Sequence, residues 1–94
     1  MITKIARYKI KPEELESIIK AIKIFVRAVH INESQTMYHA YRKGDTMEFI
    51  HFMQFPDTDA EQKHQNASYT KAFTEIIYPR CIHEPRFTDL SEIK

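Results

Sequence analysis

Residues 46–55, TMEFIHFMQF, carry large apolar side chains on both sides. In a strand, successive side chains point to opposite faces of the sheet. Met47, Phe49, His51, Met53 and Phe55 then share one face, and Ile50 and Phe52 share the other. Helices packed on one face of such a sheet cover only half of this apolar surface. Large apolar side chains held on the remaining face mark a contact surface. A second copy of the chain, packed sheet to sheet, would bury it. The chain's own C-terminal segment laid across the sheet is the alternative cover.

The rest of the chain supplies the helices and the other strands. Residues 2–10 (ITKIARYKI) read as a first strand, with Ile2, Ala6, Tyr8 and Ile10 on one face, Lys4 as the exception there, and Arg7 and Lys9 opposite. Lys11-Pro12-Glu13-Glu14 suits a helix entry, because proline fits the first helical position and glutamates favour the positive dipole end. Leu15, Ile18, Ile19, Ile22, Phe25, Val26 and Val29 recur at three- and four-residue spacing, which predicts an amphipathic helix over about 12–31.

After the polar connection Asn32-Glu33-Ser34-Gln35, residues 36–43 read as a second strand. The turn at Gly44-Asp45, which holds the chain's one glycine, leads into the third strand over 46–55. Thr58 with Glu61 fits a capping box, so a short helix is expected to about residue 65, and Ser68 is expected to cap another that Pro79 stops. Residues 81–88 (CIHEPRFT) read as the last strand, with Pro85 marking an edge or a bulge. The order is that of an α+β, ferredoxin-like βαββαβ domain spanning 1–94: a four-stranded antiparallel sheet with its helices on one face, paired as a dimeric α/β barrel.

Charge and cysteine content exclude several function classes. A net charge of +1, with no block of lysine or arginine, gives no steering toward nucleic acid. The most apolar stretch, residues 18–29, is interrupted by Lys20, Lys23 and Arg27, so no membrane span is expected. The first twelve residues have no continuous apolar core of the signal-peptide kind, and cytoplasmic residence is the expectation. One cysteine, Cys81, allows neither an internal disulfide nor a cysteine cage for a metal within one chain.

The run from Phe49 to Asp57, followed by Ala60, His64 and Lys71-Ala72-Phe73, resembles the antibiotic biosynthesis monooxygenase family. So do the start, Ala6-Arg7-Tyr8-Lys9-Ile10-Lys11-Pro12, and the ending Arg80-Cys81 with Glu84-Pro85. The resemblance implies a homodimeric barrel. It also implies a monooxygenase that oxidises a quinol or other aromatic small molecule with molecular oxygen and no cofactor. Three departures weigh on that implication. Met53 stands where members often carry glutamate, and Tyr69 where many carry a second histidine. The tryptophan and first-strand asparagine of the haem-degrading branch are missing. A non-catalytic dimeric barrel that binds a small ligand, or a stress-related protein, is the alternative.

A cofactor-free oxygenase needs a dry aromatic pocket and a base. His64, which matches the family's recurring histidine, is the first candidate base. Its structural alternative is a buried histidine tying helices together. His51 is the second candidate, with a satisfied core histidine as its alternative. Tyr8, Tyr41, Phe49, Phe52 and Met53 are the candidate pocket residues, and they equally suit a dimer core. His30 suits a helix C-terminus, His83 suits solvent, and no histidine spacing suggests a metal site.

Overall fold

A computed structural model describes all residues, 1–94. The strands are β1 (Ile2–Lys9), β2 (Met37–Arg42), β3 (Glu48–Phe55) and β4 (Arg86–Leu90). The helices are α1 (Leu15–Asn32), α2 (Thr58–Asn66) and α3 (Ser68–Ile77). The sheet runs β2-β3-β1-β4, and every pairing is antiparallel. This is the ferredoxin-like arrangement expected from the order of elements.

The core lies between the sheet and one layer of helices. Ile18, Ile22, Phe25 and Val29 of α1 and Phe73 and Ile77 of α3 pack with Ala6, Tyr8, Tyr38, Phe49, Met53 and Phe55 of the sheet. The helical stripe read from the sequence is thus the buried face of α1. Lys4, the exception on the inner face of β1, is there to pair with Glu61 of α2.

Three expectations shift by a few residues. The cap of α2 is Asp57 rather than Thr58; its Oδ1 accepts the Ala60 N–H at 2.8 Å. Asp reaches the third amide of the helix from one position earlier, which displaces the capping box. Ser68 begins α3 without capping it. The last strand starts at Arg86, after the proline. Cys81 forms only an isolated bridge to Ile10, and Ile82 N–H donates to Lys9 O at 2.8 Å. Pro85 has no N–H to offer β1, so regular pairing resumes beyond it, on the edge of the sheet. Gly44 takes φ 51 in the β2–β3 turn, the left-handed region where glycine carries no side-chain penalty.

The outer face of the sheet carries Ile5, Ile50 and Phe52, all half-buried, beside Met37 (47% exposed), Tyr41 (57%) and Leu90 (40%). Residues 91–94 are all exposed, as a tail laid over an apolar face would not be.

Candidate functional site

His51 sits in the middle of β3 with an alanine on either side. Ala6 of β1 and Ala40 of β2 are its direct cross-strand neighbours. Two methyl groups leave room above the strand, and the diagonal neighbours fill its margins. Tyr8, paired to Phe49, and Tyr38, paired to Met53, reach back toward the imidazole from opposite sides. Tyr8 Oη lies 2.7 Å from His51 Nε2, and Tyr38 Oη lies 2.8 Å from Nδ1. His51 is 1% exposed, and its ring stacks against Phe73 with centroids 5.7 Å apart.

Burial pulls the His51 imidazole down to about 4 from its ordinary 6.5. It is therefore neutral at physiological pH, with one ring nitrogen donating and the other accepting. Burial likewise pushes the phenols of Tyr8 and Tyr38 well up, so both stay protonated. The imidazole has a consequence for stability. Between about pH 6.5 and 4 the unfolded chain binds a proton at His51 that the folded chain refuses. Stability is present in full above that window and falls as pH drops through it, by about 3 kcal/mol. Urea unfolding at pH 7 and pH 4 is expected to show this loss in the native chain and a smaller one in His51→Phe; equal losses would refute the assignment.

His64 approaches the same space from the last turn of α2. Glu33, just past the end of α1, accepts the Nδ1–H at 2.9 Å on Oε2. The Tyr69 hydroxyl of α3 donates to the same oxygen at 2.5 Å. One carboxylate thus joins all three helices. A carboxylate on Nδ1 fixes the tautomer and leaves the Nε2 lone pair free. Glu33 Oε1 is buried with no partner of its own. The His64 ring is 5% exposed, stacked on Tyr38 at 5.4 Å and flanked by Phe55 at 5.1 Å. Tyr38 therefore touches both histidines, by a hydrogen bond on one side and ring stacking on the other.

These groups surround a cavity of about 320 Å³ between sheet and helices. Its inner wall includes Tyr8, Tyr38, His51, Met53, His64 and Phe73. The Lys4–Glu61 ion pair and Phe87, 56% exposed on β4, stand at its margin. The volume is at the small end of the roughly 300–1,000 Å³ typical of small-molecule sites. No cluster of three histidine, cysteine or acidic side chains could hold a metal ion.

The structure thus brings together His64, His51, Tyr8 and Met53 from the residues proposed on sequence. It separates the other three. Phe49 is core, stacked on Tyr8 at 5.6 Å, and does not line the cavity. Tyr41 and Phe52 lie on the outer face of the sheet, because their positions have the opposite parity to the inward residues of β2 and β3. The structure adds Tyr38, Glu33 and Tyr69, which no spacing in the sequence places at the site. His30 does more than sit at a helix end: its Nε2 donates to Tyr38 O at 2.9 Å. Burial pushes the Cys81 thiol up, the opposite of an activated nucleophile.

No family model matches the sequence, and no curated protein matches it. Solved structures do. An antibiotic biosynthesis monooxygenase superposes with a TM-score of 0.92 at 17% identity, covering 100% of both chains. The chain has the fold of the antibiotic biosynthesis monooxygenases. A candidate antibiotic biosynthesis monooxygenase from Caulobacter crescentus gives 0.89 at 20% identity, over 99% of this chain and 90% of its own. Rv0793 from Mycobacterium tuberculosis gives 0.89 at 15% identity, over 99% and 95%. The cavity described above lies between the helices and the sheet of this single chain. No helix of the chain is long and apolar enough to cross a membrane.

Proposed function

We propose that the cavity binds a small quinol or other phenolic aromatic and oxidises it with molecular oxygen. His64 is the base in this reading and His51 its second polar group. The observation that carries it is the free Nε2 of His64, oriented by Glu33 inside an aromatic cavity. Nε2 accepts the substrate hydroxyl proton, and the resulting electron-rich phenolate reduces oxygen. For a quinol, one oxygen atom enters the ring, the other leaves as water, and the substrate supplies all four electrons. The aromatic walls exclude water from the charged intermediate. The likeness to monooxygenases of known structure adds support through the fold.

The test is oxygen uptake with a chemically reduced naphthoquinone under ¹⁸O₂. One labelled atom in the hydroxyquinone product is expected. Uptake no faster than autoxidation, or peroxide in place of labelled product, would refute the reading. A second reading, a non-catalytic binding barrel, draws on Met53, which puts a thioether on the cavity wall. Saturable binding without uptake is its expected result. The working unit in either case is a homodimer formed through the outer sheet face, which carries Phe52, Ile50 and Tyr41. Cytoplasmic residence belongs to the same proposal.

A further inference from the structure

The hydrogens at the cavity floor do not balance. Tyr8 and Tyr38 each carry a phenolic hydrogen, and neutral His51 carries one on its ring. These three serve two hydrogen bonds, Tyr8–His51 and Tyr38–His51. With the ring hydrogen on Nδ1, Tyr8 donates to Nε2, Nδ1–H donates to Tyr38, and the Tyr38 hydrogen is surplus. With it on Nε2, the direction reverses and the Tyr8 hydrogen is surplus. Neither phenolic oxygen has another protein partner. Tyr8 and Tyr38 are 6% and 3% exposed, and both line the cavity. One O–H donor is therefore always left over by the protein's own groups, and it adjoins the cavity. A buried donor with no acceptor is costly, and a ligand that supplies the acceptor removes the cost.

We propose that Tyr8, His51 and Tyr38 form a specificity relay that recognises a carbonyl oxygen on the aromatic ligand of this cavity. The proposal rests on the reading above only in that the cavity takes an aromatic molecule. A carbonyl accepts without donating, which matches a single surplus donor. A hydrocarbon leaves that donor unpaired. A carboxylate meets a relay with no net charge, and its desolvation there goes uncompensated; the nearby Lys4 is already paired with Glu61. Because the surplus hydrogen can reside on either phenol, ligand binding at one phenol selects one tautomer of His51. Tyr8 and Tyr38 are thus binding residues, and His51 positions their hydrogens.

1-Tetralone and tetralin test this, since they share one fused bicycle with and without a single carbonyl oxygen. Calorimetry gives the ratio of their dissociation constants. In Tyr8→Phe/Tyr38→Phe the preference for 1-tetralone relative to tetralin is expected to fall at least about tenfold from the native value. In the native protein, ¹⁵N resonances of His51 are expected to move toward one tautomer with 1-tetralone and to stay put with tetralin. If the double variant does not fold, the nitrogen spectra decide alone. Binding of both compounds with identical spectra and an unchanged ratio would overturn the relay and leave the oxygenase reading standing. Binding of neither would remove the aromatic cavity, and the relay with it. Tetralone preference without oxygen uptake from any quinol would overturn only the oxygenase reading.

Discussion

His64→Asn is expected to lower kcat for oxygen uptake by about 10²–10⁴-fold, the usual cost of losing a positioned base. Asparagine is the informative substitution because its side-chain amide lies near the position of Nδ1 and can still donate to Glu33. It offers nothing in place of the Nε2 lone pair. The melting temperature is therefore expected to move by less than about 4 °C. His64→Phe should behave differently. It removes one of the two donors to a carboxylate whose side chain is 10% exposed, leaving the Tyr69 hydroxyl as its one partner. Losing a hydrogen bond to a buried charged group costs about 1.5–3 kcal/mol, and the melting point should fall clearly. Full activity in His64→Asn would limit His64 to its second role, that of joining α2 to the end of α1.

Phe52→Lys is expected to turn a dimer into a folded monomer. Light scattering of the native chain should give twice its 11.2 kDa mass, and the variant should give that mass once. Phe52 is on the outer face of β3 and points away from the helices, so within one protomer a lysine can extend its ammonium into water. In a sheet-to-sheet interface the same ammonium would be desolvated and unpaired, at a cost of several kcal/mol. Retained far-ultraviolet dichroism in the variant separates dissociation from unfolding. A native chain that scatters as a monomer at micromolar concentration would leave the outer face without its proposed cover.

The parts of the fold read correctly from sequence are those with one unambiguous period. Ile18, Ile22, Phe25 and Val29 repeat only as a helix does, and Phe49, His51, Met53 and Phe55 repeat only as a strand does. The first period gave the helix layer and the second gave the inner face of the sheet. The same alternation already separates Phe52 from His51, so the two do not face one cavity. In β2 both parities are comparably apolar, Met37 and Tyr41 against Tyr38 and Ala40, so the sequence alone does not choose between them. Register against β3 does, by setting Ala40 opposite His51. Glu33 was out of reach for another reason. It lies in a polar connection, and no spacing rule links it to positions 64 and 69, which come to it only through tertiary packing.

Ala6, directly opposite His51 on β1, lines the cavity. Its small size also makes the chamber adjustable. The floor is rigid backbone, tied on both sides by ladder hydrogen bonds, while the ceiling is set by large side chains that also hold the helices in place. Headroom can therefore change at position 6 while the polar groups around the imidazole stay where they are. In the proposed reading, a lineage carrying this domain resizes its guest by changing this one side chain, and a narrower or wider aromatic meets the same phenols and the same base.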